Sequence, residues 1–322
     1  MNKAALAAGM SLSALTASLG TAAPPSSVPP IKVGIIDVRA DELTFPDRNT
    51  TIEYREAPPA GKRAASWLTE SDTDHGQVLA SAFVRQVRRI DRDRPIEIYA
   101  ANPMFETSSA TGSATYSRIT GGASKRTIGI NYEGARAAIG WFKEKGVKVV
   151  LTTLNGRDTP GMQLFVKEAT DAGMVVFASA GNSPKVGRTF PAAYPNVISV
   201  AADDPGLALR GNPEVASWVD FAMSGSVPRN MNGPTVDVGS SFATAKAAAL
   251  GAYAVAEGEA RDRETVVGFL AGVATTKAYR VQGTEISVAY IDDVDGARRA
   301  RERVEDANLA LMMAARARGA SR

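Results

Sequence analysis

Asp37, His75, Asn182 and Ser241 supply a carboxylate, an imidazole, an amide and a hydroxyl, the side-chain types that hydrolytic acyl transfer draws on. Asp37 directly follows the run Ile31 to Ile36 (IKVGII). An acid at a strand end is either a turn or capping residue or a catalytic acid. His75 lies in Asp74-His-Gly-Gln-Val-Leu-Ala80 and is the only histidine of the chain. Single histidines are mostly surface or core residues, yet this one has a consequence. Any imidazole general base here must be His75, and a zinc site built on two histidines is excluded. Asn182 sits just past the run Met174-Val-Val-Phe-Ala178 and reads, taken alone, as an Asn-Ser-Pro turn. Ser241 lies in Asp237-Val-Gly-Ser-Ser-Phe-Ala-Thr-Ala-Lys246, where a helix begins. Serine there is normally a cap, a role Ser240 can also fill. A nucleophile in that place would have backbone N–H groups and the positive end of the helix dipole beside a developing oxyanion.

Short β-branched runs alternate with helical patterns around these residues. The runs 31–36, 96–100, 147–153, 174–178 and 197–201 predict buried strands. Leu79, Phe83, Val87 and Ile90 form a stripe at helical spacing. Ala138, Trp141 and Phe142 form a second ahead of Gly146, and Phe165, Ala169 and Ala172 a third ahead of Gly173. Such alternation predicts an α/β fold, a mostly parallel sheet with helices on both faces. Ligand sites of these sheets lie beyond the carboxyl ends of the strands, which is where Asp37 and Asn182 fall. Residues 102–130, rich in Ser, Thr and Gly, read as a long loop. Helices are expected over 241–257 and 263–273, then a hairpin, then a charged helix from about 295 to 317.

The 322 residues are 44% hydrophobic, 22% charged and 7% aromatic, enough apolar material for one core. A net charge of +3 with both signs interspersed gives no case for nucleic acid. With no cysteine, disulfides, thiolate catalysis and cysteine-ligated metals are excluded. Lys3, the apolar stretch 4–17 and the small residues before Ala23 have the order of a secretory signal over 1–23, so the protein is expected to be exported, periplasmic or extracellular. The proline-rich segment 24–30 reads as an extended linker. No later segment approaches the ~20 apolar residues of a membrane span.

Taken together, the four residues fall into a pattern. Asp, His and Ser follow one another in the order found in subtilisin. Val33-Gly-Ile-Ile-Asp37 resembles the strand that carries the acid in the subtilisin-like serine proteases, and Asp74-His-Gly resembles their histidine turn. Gly173-Met-Val-Val-Phe-Ala-Ser-Ala-Gly-Asn182 and Phe190-Pro-Ala-Ala-Tyr-Pro-Asn-Val-Ile-Ser-Val200 are similar to the oxyanion-asparagine strand and the segment after it. Gly239-Ser-Ser-Phe-Ala-Thr244 is similar to the serine motif, usually Gly-Thr-Ser-Met-Ala-Thr. The resemblance implies a three-layer catalytic domain over 31–300, with 301–322 as a helical tail. It implies Asp37, His75 and Ser241 as catalytic residues of an endopeptidase and Asn182 as an oxyanion donor. Thr153, Leu154, Asn155, Ser179, Ala180 and Gly181 would bind a peptide or protein substrate. No cofactor is called for and no metal ligands are assigned.

Several positions depart from the family pattern. Val38-Arg39 replaces Ser or Thr followed by Gly, and Gln77-Val-Leu-Ala80 replaces Thr-His-Val-Ala. Ala245-Lys246 replaces a proline and its neighbour, and Thr153-Leu-Asn155 stands for Ser-Leu-Gly. None removes a reacting group, but several touch the frame around the site. Only about thirty residues precede the first strand, so the protein folds without an inhibitory prodomain or a separate chaperone or inhibitor partner supplies that help. Two other readings use the same residues: a catalytically weak or inactive relative that binds peptides or a protein partner, and an esterase. An α/β-hydrolase does not fit, because Gly-x-Ser-x-Gly is absent around Ser241 and the residue order differs.

Overall fold

A computed structural model of the protein describes residues 28–65, 75–107, 116–119, 125–229 and 236–319. The expected signal 1–23 lies outside the described residues, as do positions 24–27 of the linker. The chain opens with β1 (Ile31–Ile36) and β2 (Thr50–Glu56), then α1 (His75–Ile90) and β3 (Ile96–Asn102). A small motif follows, of β4 (Met104–Thr107), β5 (Tyr116–Ile119) and β6 (Lys125–Ile130). Next come α2 (Tyr132–Glu144), β7 (Val149–Thr152), α3 (Pro160–Asp171), β8 (Val175–Ser179), β9 (Val197–Ala202) and the short α4 (Ala208–Gly211). The last part holds β10 (Phe221–Met223), β11 (Ser226–Pro228), β12 (Val236–Val238), α5 (Ser240–Ala256) and α6 (Arg263–Val273), then β13 (Thr275–Val281), β14 (Thr284–Tyr290) and α7 (Asp293–Gly319).

The main sheet has nine strands in the order β13-β14-β10-β9-β8-β7-β1-β3-β2. Every neighbouring pair is parallel except the hairpin β13–β14. Successive side chains of a strand point to opposite faces, and both faces are covered. In β1, Val33 and Ile35 join one core with α1, α5 and α6, while Ile36 joins a second core with α2 and α3. Gly34 makes room on that second face, where a Cβ would lie 2.6 Å from the Phe142 ring. The α/β architecture with helices on both faces is thus the one observed. α5 runs beneath α1 and across the central strands, buried on nearly every side. Its alanines allow that close approach, and an all-round apolar helix must be buried.

Two elements differ from expectation. Part of the segment 102–130 read as a loop is a three-stranded antiparallel sheet, β4-β6-β5, with Met104 opposite Ile130 and Thr107 opposite Thr127. Its Ser-, Thr- and Gly-rich composition is that of a turn, and only pairing between distant strands makes it a sheet. β2 was not expected at all. It is an edge strand carrying Glu53, Arg55 and Glu56, and charge on an edge strand guards against unwanted pairing while masking the hydrophobic alternation.

Lys246, one of the departures from the family pattern, has a structural use. Its buried ammonium donates to the carbonyls of Ser224 (2.9 Å) and Ser226 (3.0 Å) and to Asp293 Oδ2 (2.6 Å), which ties α5 to the β10–β11 turn and to the start of α7. Burial holds its pKa below the ordinary lysine value, and Asp293 opposes that shift. Lys246→Met would leave the Asp293 carboxylate and two carbonyls without their donor. It is expected to destabilise the fold by about 3 kcal/mol in urea denaturation; a change below about 0.5 kcal/mol would show that this tie holds nothing.

Candidate active site

The sheet delivers the site residues to one edge. β1 ends at Ile36 and presents Asp37; β7 ends at Thr152 and presents Thr153; β8 ends at Ser179, three residues before Asn182. The parallel register between β1, β7 and β8 keeps these ends level, at the carboxyl side of the sheet. His75 starts α1, and Ser241 is the second residue of α5.

Asp37 is fully buried, so its carboxylate must be paired. Oδ1 accepts from the Val38 N–H (2.7 Å) and faces His75 Nδ1 (2.9 Å), and Oδ2 accepts from the Thr153 hydroxyl. A carboxylate only accepts, so its contact fixes the proton on Nδ1 and leaves Nε2 as the basic nitrogen of the ring. The ring also packs on Phe242, with centroids 5.3 Å apart. The first turn of α1 reaches this place because residue 76 is glycine. A Cβ there would lie 2.3 Å from the Arg39 carbonyl oxygen and 2.5 Å from that of Val38.

Asn182 is tied to the start of α5. Its Oδ1 accepts from the Ser240 N–H (2.8 Å) and the Ser240 hydroxyl (2.9 Å). A backbone N–H can only donate, so the atom facing it is the oxygen, and Nδ2 keeps its hydrogens for another acceptor. The Ser241 N–H belongs to the first turn of α5, whose donors have no partner within the helix. Gly181, with φ +86°, turns the chain between β8 and Asn182 in the left-handed region. A Cβ on it would also lie 2.6 Å from Asn155 Nδ2.

These groups border a single pocket of about 280 Å³. Of the expected site residues, His75, Thr153, Asn155, Ser179, Gly181, Asn182 and Ser241 line it. Asp37 stands behind His75. The Leu154 side chain is instead buried in the core with α2 and α3, and that of Ala180 in the core under β13 and β14. The pocket adds Ser183, Val186 and Thr189, which sequence reasoning did not single out, and Ser240, which it offered only as a helix cap. Thr189 is held by its hydroxyl, which donates to the Ala180 carbonyl (3.0 Å), a link no local motif announces.

Thr153 was expected only at the substrate. Its hydroxyl, however, is also on Asp37, where it helps to hold that carboxylate in place. Thr153→Val removes a hydrogen bond to a buried carboxylate and, where that carboxylate orients His75 for catalysis, is expected to lower kcat/KM by about 10- to 100-fold. Thr153→Ser keeps the donor and should restore most of the loss. Equal losses in the two variants would contradict this role.

A family model described as the subtilase family matches residues 31–290. Among solved structures, the chain is similar to a prenylagaramide maturation protease, with a TM-score of 0.51 and 15% identity over 86% of this chain and 94% of that one. It is similar also to a cold-adapted subtilisin-like serine proteinase, with a TM-score of 0.52 and 16% identity over 81% of this chain and 88% of that one. At such identities the likeness is one of fold.

Proposed function

Because the chain belongs to the subtilase family of peptidases, we propose that it is a serine endopeptidase working through Asp37, His75 and Ser241. Ser241 Oγ attacks the carbonyl carbon of a peptide bond while its proton passes to His75 Nε2. Asp37 holds the imidazole in the required tautomer and stabilises it once it is charged. The tetrahedral oxyanion accepts hydrogen bonds from Asn182 Nδ2 and the Ser241 N–H, at the positive end of α5. The C–N bond then breaks, His75 returns the proton to the leaving amine, and an acyl-enzyme remains on Ser241. Water, deprotonated by His75, releases the acid and restores the serine. The observation that carries this reading is the buried Asp37–His75 contact of 2.9 Å, set beside a pocket that His75 shares with Ser241 and Asn182.

The oxyanion assignment has its own test. Asn182→Ala is expected to lower kcat by about 100- to 1,000-fold, the cost of the equivalent loss in subtilisin, with KM changed less than about threefold. The separation follows from the role, since Nδ2 meets an oxygen that carries full charge only in the transition state. A loss carried mainly by KM would make Asn182 a ground-state binding residue.

Residues 1–23 act as an export signal removed from the mature protein. Among the described residues no helix is long and apolar enough to cross a membrane. N-terminal sequencing of protein recovered from the periplasm or medium should begin after residue 23; recovery only from the cytoplasm, with residues 1–23 retained, would contradict it.

A further inference from the structure

The C-terminal helix does two different things along its length. Ala297, Ala300 and Val304 are buried at helical spacing, where α7 packs on α1, α5 and α6. After Val304 the helix leaves the body, and residues 308–316 are all exposed. Twelve residues beyond Val304 extend about 18 Å at 1.5 Å per residue. A free helical end of that length is marginal in water on its own. Its sequence is nevertheless apolar without a break from Leu309 to Ala315 (LALMMAA). Leu309 is 55% exposed, Leu311 64%, Met312 56% and Met313 63%. Contiguous exposed apolar surface of this kind marks an interaction site.

The charges beside this run indicate what covers it. Glu305, Leu309, Met312 and Arg316 are spaced by four, three and four residues, so they lie in one line along the helix, with Asp306 and Met313 next to it. The line is acidic at one end, apolar in the middle and basic at the other. It is therefore complementary to itself when turned end for end. Two antiparallel copies centred between Leu309 and Met312 set each Leu309 against the other copy's Met312. The same register sets each Glu305 against the other copy's Arg316. Parallel copies would set Arg316 against Arg316. Glu305 is not committed elsewhere, since its one described ion pair, with Arg301, is an exposed contact of 3.8 Å.

We propose that residues 305–316 of α7 form an antiparallel interface with a second copy of this chain, giving a two-fold symmetric dimer. Such an interface is isologous, each copy giving and receiving the same contacts. Two helices overlapping over about 18 Å form a small interface, below the roughly 1,200 Å² of stable complexes and in the class of weak, transient ones. The dimer is accordingly concentration-dependent, with dissociation in the micromolar range. The proposal is independent of catalysis, because the helix end lies outside the pocket.

Sedimentation velocity on the mature chain, from about 1 to 100 μM, should show a shift from monomer to dimer. Leu309→Glu with Met312→Glu should keep the protein monomeric throughout that range, with the thermal midpoint measured at the dilute end of it unchanged. Arg316→Glu alone should weaken the dimer at least about tenfold. Adding Glu305→Arg to it should restore the dimer, because the pair is then exchanged rather than lost. A protein that stays monomeric at every concentration overturns the proposal. So does a dimer indifferent to Leu309→Glu with Met312→Glu, or one that Glu305→Arg fails to rescue. Monomeric protein that co-sediments through this helix with anionic phospholipid vesicles also overturns it, assigning the apolar run to a membrane surface instead.

Discussion

Ser241→Ala is expected to lower kcat on any peptide substrate by about a million-fold, the scale seen when the nucleophile of subtilisin is removed. The size of the loss follows from what the residue does. Without Oγ no acyl-enzyme forms, and what remains is water attack helped by the oxyanion donors and substrate binding. KM should change little, since the hydroxyl acts in the transition state and not in holding the bound substrate. Ser240 provides the internal comparison. It is adjacent in sequence and also borders the pocket, but its hydroxyl is spent on Asn182 Oδ1. Ser240→Ala should therefore lose no more than about tenfold, the worth of one neutral hydrogen bond that anchors the oxyanion donor. A reversal of the two effects would move the nucleophile by one residue and with it the use of the α5 N-terminus.

Asp37→Asn is expected to lower kcat by about 10,000-fold while leaving the fold intact. The amide is nearly isosteric, so the burial of residue 37 and its contact with the Val38 N–H can persist. What changes is the acceptor facing His75. If the amide oxygen stays on Val38 N–H, the NH₂ group meets the Thr153 hydroxyl and the imidazole competes for the one oxygen left. If the amide turns, its NH₂ faces Nδ1 and drives the ring into the tautomer with hydrogen on Nε2. That nitrogen can no longer take the serine proton. The charged imidazolium also loses its buried counter-charge. Steady-state kinetics read both consequences in kcat, and thermal unfolding checks the fold. A loss below about tenfold would mean that Asp37 serves the structure around β1 and not the base.

The parts of this arrangement written locally in the chain could be read from the sequence. Asp37, Asn182 and Ser241 each sit where a β-branched run stops or an alanine-rich helix starts, and those boundaries are fixed by hydrophobic period and by small residues. The sheet followed from the same periods, since β1, β3, β7, β8 and β9 are buried on both faces and their sequences carry almost no polar interruption. Contacts between distant residues were not legible. Thr153 meets Asp37 across 116 positions, and Lys246 meets Asp293 across 47. In both cases a residue read as a neighbour of the motif, or as a departure from it, proves to be part of the frame. β5 and β6 were hidden for a related reason: they lie in a Ser- and Gly-rich stretch, and glycine is depleted in strands, so that only their mutual pairing reveals them. Leu154 shows the opposite error. It lies between two pocket residues, Thr153 and Asn155, yet its own side chain is buried in the core with α2 and α3.

The proposed mechanism makes Ser241 a hydroxyl activated by His75 and by the donors at the start of α5. Labelling the folded protein with a fluorophosphonate probe and mapping the adduct by mass spectrometry tests it most directly, with Ser241→Ala as the control. A single adduct on Ser241 is expected, lost in the control and strongly slowed in Asp37→Asn. A well-folded protein that takes up no probe, or takes it up on another serine, would contradict it.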